Sequence, residues 1–428
     1  MPDAPTPPVP AAADGLVRVL DDVLASKIAA GEVVQRPASV AKELIENALD
    51  AGATHVELIL KKAGSELIQI VDDGCGMGPQ DAVACFGRHA TSKLRAIDDL
   101  ERLATLGFRG EALASIGAVA QVELRTRRVQ DEAGTRLRVD GGGVSAPEPC
   151  ATPTGTSLAV RNLFFNVPAR RNFLKTPATE FKHLVETFQT QALAHPTVGF
   201  TLIHDEMEVY RLPAAPEGAP FEQALARRAS DLFGDVDPVR LVPVEETTSY
   251  LSVRGLVGRP EAAKRSRGGQ FVFVNERPIK NRSLEHAVAA AYGELLPEGR
   301  YPFFTLFLTV DPRHVDVNVH PAKTEVKFDD ERGVYGFLKA VVKKGLAAAD
   351  LALTLESPTA ATVTVPATGF ATPLPDASAS SRPTPDRPAS PRSPSLLEGD
   401  GYRPGSSTPS GSSAPPIFAQ RFPEPPQS

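Results

Sequence analysis

The sequence predicts an α+β protein with two folded regions and an unstructured tail. Three observations carry that expectation. Between about residues 15 and 215, helical and strand periodicities are mixed in short segments. Between 216 and 350, strand, helix and strand follow in the order of a crossover unit, which suggests a smaller α/β region. Across 351–428, 16 of the chain's 40 prolines stand among many Ser and Thr, so this stretch cannot bury enough apolar surface to offset its chain entropy. The Pro- and Ala-rich residues 1–14 are expected to be disordered as well, and Pro213, Pro216 and Pro220 mark the boundary near 215.

Individual elements follow from local signals. Ser39 is placed to cap a helix over 40–50, which Gly52 closes. Val56, Leu58 and Leu60 alternate, residues 61–65 turn the chain, and an apolar run over 67–71 completes a hairpin. A strand is expected over 157–160. A longer helix starts at Thr176 with Pro177 in its tolerated first turn, and its buried stripe is Phe181, Leu184, Val185, Phe188 and Ala192. Beyond the boundary come a strand over 271–275, a helix over 282–292 and strands over 303–310 and 315–319.

Composition narrows the class. A chain of 428 residues suits two or three domains, and 42% hydrophobic with 23% charged residues is ordinary for a soluble protein with a core. No window approaches the roughly 18 uninterrupted apolar residues of a membrane span. The N-terminus lacks the basic start and apolar run of a secretory signal, so a cytoplasmic location is expected. Cys75, Cys85 and Cys150 form no Cys-x-x-Cys pair and read as reduced structural thiols rather than a disulfide or zinc framework. The net charge is -6, yet basic residues gather at 125–128, 170–175, 264–267 and 280–282. A localised basic groove is compatible with that distribution.

The chemistry begins on the helix over 40–50. Glu43, Asn47 and Asp50 are spaced i, i+4, i+7 and share one face, while Val40, Leu44, Ala48 and Leu49 face a sheet. Taken alone, this is an amphipathic helix with a solvated edge. The residue types also suit a chemical role, since a Glu can take a proton from an attacking water and an Asn oxygen can serve Mg²⁺. Directly after the hairpin comes Asp72-x-Gly74-x-Gly76-x-Gly78. Missing side chains there let backbone approach a ligand, and Asp72 can accept from an exocyclic amino group of the adenine type. No Gly-x-x-x-x-Gly-Lys-Ser/Thr loop occurs, which excludes the P-loop class. Thr91, Ser92 and Lys93 supply hydroxyls and a cation. Gly107, Phe108, Arg109 and Gly110 lead into a helix over 111–116, whose N-terminus suits phosphate. Gly155 and Thr156 offer one further pocket hydroxyl.

Each element is weak alone; in this order together they resemble the GHKL ATPase superfamily. Six stretches are similar to the MutL mismatch repair family in particular: 28–39 (IAAGEVVQRPAS), 42–54 (KELIENALDAGAT), 88–93 (RHATSK), 107–113 (GFRGEAL), 163–171 (LFFNVPARR) and 315–323 (VDVNVHPAK). The similarity runs over about residues 18–345. It implies a GHKL-type two-layer α/β sandwich over 15–215, a ribosomal-protein-S5-like second domain over 216–350, and a Pro/Ser-rich linker or tail over 351–428.

The resemblance also implies roles. Glu43 matches the general base, Asn47 the Mg²⁺ ligand, and Asp72 the adenine-recognising acid, assisted by Gly76 and Thr156. Thr91, Ser92, Lys93 and Gly107 to Gly110 match the phosphate lid. Lys323 matches a lysine that reaches from the second domain to the γ-phosphate. The implied protein is a slow Mg²⁺-dependent ATPase whose N-terminal domains dimerise with ATP. Its implied partners are the mismatch sensor MutS, a downstream helicase or nuclease, and DNA held without sequence preference, with Arg265, Arg267 and Lys280 as contact candidates. No membrane partner is implied, and repair would bring the protein to the nucleoid. Family members carry a C-terminal dimerisation domain, in many bacteria with a metal-dependent endonuclease. The last histidine here is His320, so no endonuclease site is expected in this chain. Two rival classes are another GHKL machine, which would need long further domains, and a non-enzymatic scaffold, against which Glu43, Asn47 and Asp72 argue.

Overall fold

A computed structural model describes residues 30–31, 33–93, 110–316 and 326–356. The expected disorder of 1–14, the tail beyond Glu356, the strand residues 317–319, and Gly107, Phe108, Arg109 and Lys323 lie outside the described residues.

The first helix, α1 (Pro37–Asp50), starts earlier than the sequence suggests. Ser39 does not cap it but lies within its first turn; Pro37 takes the first helical position, where its missing N–H leaves nothing unpaired. Gly52 follows the helix at φ +73°. Strands β1 (His55–Lys61) and β2 (Leu67–Asp72) pair antiparallel as the expected hairpin, Val56 opposite Asp72. Then come α2 (Pro79–Ala84), α3 (Ala112–Val119), β3 (Gln121–Arg127), β4 (Gly134–Asp140), the short β5 (Gly143–Val144) and β6 (Glu148–Cys150), and β7 (Gly155–Arg161). After α4 (Pro168–Phe173) and α5 (Pro177–Ala194), β8 (Gly199–His204) and β9 (Met207–Leu212) complete a nine-stranded sheet ordered β5-β4-β3-β7-β2-β1-β8-β9, with β6 on β4.

This sheet buries one face. Leu58, Leu60, Ile68, Ile70, Leu124, Leu158, Phe200 and Leu202 meet Val40, Leu44, Ile45 and Ala48 of α1 and Leu184, Phe188 and Ala192 of α5. Intervening positions such as Ile59, Gln69 and Val71 stay partly exposed, which is the alternation of a sheet covered by helices on one side. Two layers result. Phe181 and Val185, expected in the α5 stripe, are only partly buried at its edge.

Helix α6 (Phe221–Phe233) leads into a second sheet of β10 (Leu241–Thr247), β11 (Leu251–Gly258), β12 (Gln270–Val274), β13 (Arg277–Ile279) and β14 (Phe304–Val310), ordered β10-β11-β14-β12-β13. Strands β12 and β14 run parallel with α7 (Arg282–Tyr292) between them in sequence, as the expected crossover unit requires. A short pair, β15 (Val315–Asp316) and β16 (Lys327–Phe328), precedes α8 (Glu331–Glu356), which packs with α7 over a second apolar core. Helix α8 runs on through Glu356, beyond residue 350. Its Ala- and Leu-rich end carries the helix past that point.

Candidate nucleotide site

The sheet topology brings together residues that are far apart in sequence. Asp72 ends β2 directly opposite Thr156 at the start of β7. The turn after β2 lies against the end of α1: the Cys75 amide donates to the Ala51 carbonyl at 3.0 Å. Asp72, Thr156, the glycine turn and the C-terminal end of α1 therefore share one end of the sheet.

Glycine is required at two points. Gly76 has φ +66°, and a Cβ there would fall 2.1 Å from the Arg127 carbonyl oxygen. Gly155 has φ +110°, and a Cβ would fall 2.0 Å from the Asp72 carbonyl oxygen. A side chain at Gly76 would push the turn away from the end of β3, and one at Gly155 would push the start of β7 away from the end of β2.

The two adjacent aspartates are distinct. Asp73 accepts from the Thr54 and His55 amides at 2.7 and 2.9 Å and from the Thr54 hydroxyl at 2.5 Å. Partial burial pushes its carboxyl up, but these hydrogen bonds outweigh it and hold the group below the ordinary carboxylate range. Asp73 thus braces the turn. Asp72 is buried, and burial pushes its carboxyl up to about 6, against the pull of the Gly74 and Thr156 backbone amides. An aspartate with that environment at a sheet end is a candidate ligand group.

On α1, Glu43 and Asn47 are partly exposed along the edge of the helix. Asn47 Oδ1 accepts from Lys93 Nζ at 3.2 Å, and the same ammonium pairs with Asp50 Oδ2 at 2.5 Å. Lys93, expected in a lid, is thus folded onto the expected metal ligand. The backbone amide of Lys93 bonds to Thr91 Oγ1 at 3.1 Å, and Ser92 is exposed. Gly110 lies against the Ala90 backbone, so the 88–93 segment meets the start of α3. Arg265 and Lys280 are exposed in the second region, and the Arg267 guanidinium lies 4.9 Å from the centre of the Tyr301 ring. They are not part of the nucleotide cluster. Cys85 is set apart from this chemistry, its thiol pushed up to about 12 by burial.

Comparisons with known proteins give the family and the fold. Residues 35–145 match the family described as histidine kinase-, DNA gyrase B-, and HSP90-like ATPase, and residues 229–347 match the C-terminal domain family of DNA mismatch repair proteins. The DNA mismatch repair protein MutL of Christiangramia forsetii is 51% identical over 331 residues, covering 77% of this chain and 52% of that protein. The chain belongs to the MutL family of DNA mismatch repair proteins. MutL of Flavobacterium johnsoniae is 49% identical over 341 residues, covering 80% of this chain and 52% of its own. The chain therefore spans about half the length of these curated relatives. A solved N-terminal domain of a DNA repair protein is 25% identical and superposes with a TM-score of 0.64, covering 77% of this chain and 99% of that one. The first region of this MutL-family chain has a GHKL-type ATPase fold.

Several residues around the site escape sequence reasoning. Glu46 looks like one more solvated acid on α1, yet it is 4% exposed. It holds Lys42 Nζ at 2.8 Å and accepts from Gln191 of α5 at 3.1 Å. Although burial pulls the Lys42 ammonium down, Glu46 and then Glu43 hold it above the ordinary lysine value. Arg277, on β13 of the second sheet, is buried in the field of Glu46, Asp50 and Glu43; burial still pulls its guanidinium below the ordinary value. The second sheet thus sends a cation toward the acidic side of α1. Only the packing of β13 near α5 reveals this, since nothing local to Arg277 signals it.

Proposed function

We propose that this chain is the ATP-binding and ATP-hydrolysing N-terminal part of a MutL-type protein, acting as a slow nucleotide-driven switch in mismatch repair. The observation that supports the proposal is the pairing of Asp72 with Thr156 beside the glycine turn, which is hydrogen-bonded to the C-terminal end of α1, the helix that carries Glu43 and Asn47. In this reading the 15–215 region forms the ATPase domain and the 216–350 region a second domain coupled to it. Asp72 and Thr156 meet the adenine, and the Thr91, Ser92, Lys93 and Gly107 to Gly110 segments close over the phosphates. Lys323 approaches the γ-phosphate from the second domain.

Glu43 takes the proton of the attacking water as its oxygen bonds to the γ-phosphorus. The bond to the β–γ bridging oxygen breaks, and ADP and phosphate leave. Asn47 would hold Mg²⁺. Its carboxamide oxygen already accepts from a cationic group, and Asp50 stands beside it, an oxygen set that suits a hard cation. When bound, the ion would offset negative charge on the phosphates. ATP would bring two copies together, and hydrolysis would release them. We further propose MutS as the upstream partner, a helicase or nuclease as the downstream one, and a cytoplasmic location. DNA would be held through phosphate contacts, with Arg265, Arg267 and Lys280 as candidates, and binding would be steeply salt-dependent. This chain is expected not to nick supercoiled DNA in the presence of divalent metal.

Two results test the site. Asn47→Ala is expected to remove the dependence of ATP affinity on Mg²⁺. Titration with and without the metal reads this, and an unchanged Mg²⁺ dependence would reject Asn47 as the ligand. Second, Asp72 must be ionised to accept from an amino group. Because its carboxyl lies near 6, affinity should fall about tenfold between pH 7 and pH 5 as the group gains its proton. Asp72→Asn cannot titrate and should bind weakly with a flatter profile; parallel profiles for the two proteins would contradict this.

A further inference from the structure

We infer that Thr126, which no motif points to, fixes the direction of the Thr156 hydroxyl and thereby sets the pocket's preference for a 6-amino over a 6-oxo purine. The inference rests on the reading that Asp72 and Thr156 meet the base.

Thr126 is fully buried on β3, next to Thr156 across the β3–β7 pair. Its hydroxyl oxygen has three neighbours: the Met77 amide at 2.9 Å, the Gly155 carbonyl oxygen at 3.0 Å and Thr156 Oγ1 at 3.0 Å. Counting protons resolves the directions. The Met77 amide can only donate, so Thr126 accepts from it. The Gly155 carbonyl can only accept, so the single Thr126 proton goes there. Thr126 then has a lone pair and no proton left for Thr156, which must donate inward. With its proton turned into the protein, the Thr156 oxygen can only accept on its outer side. Ionised Asp72 is also an acceptor. The base-facing end of the sheet thus presents two acceptors, which match an exocyclic amino group and oppose a carbonyl oxygen at the same place. The same Thr126 oxygen ties the glycine turn, through Met77, to the Gly155 bend, so direction and position are set together.

The test compares the affinities of ATP and inosine triphosphate for the full chain. Thr126→Val keeps the shape but frees the Thr156 proton to turn outward. The preference for ATP is expected to fall about tenfold. Thr126→Ser, which retains the hydroxyl, should restore it. Thr156→Val reads the direction separately and does not depend on the buried Thr126 site tolerating valine: it should lose ATP affinity more than inosine triphosphate affinity. Equal weakening of both nucleotides by Thr126→Val would make Thr126 a merely structural residue and overturn the inference. So would a greater loss of inosine triphosphate in Thr156→Val. Asp72→Asn separates this from failure of the underlying reading. Undiminished ATP affinity in that variant rejects adenine recognition at this end of the sheet. A collapse in Asp72→Asn with an unchanged ratio in Thr126→Val rejects only the role of Thr126.

Discussion

Glu43→Ala is expected to bind ATP with near wild-type affinity and to release phosphate roughly 100- to 10 000-fold more slowly, the range a positioned general base supplies. The geometry narrows the choice of base on α1. Glu46 is buried and engaged by Lys42 and Gln191, and Asp50 pairs with Lys93. Glu43 keeps a partly exposed carboxylate, and Lys42 Nζ stands 3.5 Å from it. Removing it leaves Asn47, Asp72 and Thr156 in place, so binding should survive while turnover stops. The variant should then accumulate an ATP-bound pair of copies, visible as a doubled mass in light scattering. Phosphate release at the wild-type rate would place the base elsewhere; a rate equal to the buffer blank in both proteins would favour a non-enzymatic scaffold.

The largest effect on stability is expected at Arg228. This residue of α6 is 2% exposed, and its guanidinium donates to the carbonyls of Ala192 and His195 at 2.7 and 3.3 Å. It also donates to those of Pro196, Val198 and Pro213 at 3.1, 2.7 and 2.9 Å. The end of α5 has carbonyls with no partner inside the helix, and Arg228 supplies one for them. It also shapes the turn that delivers Gly199 to Thr54 at the start of the parallel β1–β8 pair. A planar fork with five N–H groups can serve this many acceptors at once. Arg228→Ala leaves several buried acceptors without their donor, at about 1–3 kcal/mol each before relaxation and water recover part of the loss. A net destabilisation of about 3–5 kcal/mol is expected from urea unfolding. Arg228→Lys, with one compact ammonium, should fall between the two. A loss below about 1 kcal/mol in Arg228→Ala would show that the turn holds without this anchor.

The polar edge of α1 and the glycine turn are legible because they are written in short-range spacing. The i, i+4, i+7 placement of Glu43, Asn47 and Asp50 announces a polar helix edge, and helix α1 presents it. The glycines after Asp72 announce a turn that needs absent side chains, and Gly76 proves to be such a position. The crossover from β12 through α7 to β14 is readable from alternating periodicities. Strands β10 and β11 are not. Pro243 interrupts the first, which is tolerated because β10 is an edge strand of its sheet, and Gly255 sits in the second at φ +146°. Both residues look like breakers in a local window. Thr126, Glu46, Arg277 and Arg228 are hidden for a different reason. Each gains its meaning from partners far along the chain, brought near by strand pairing or helix packing. Their residue types alone suggest only a strand threonine and surface charges.

One location decides whether this chain works as a nucleotide switch: the space between the Glu43–Asn47 edge of α1 and the glycine turn that follows β2. A crystal structure of Glu43→Ala grown with ATP and magnesium examines it most directly. Density for the purine amino group beside Asp72 and Thr156, with the phosphates running toward Asn47, is the expected result. Nucleotide bound on the open face of the sheet, or adenine remote from Asp72, would contradict it.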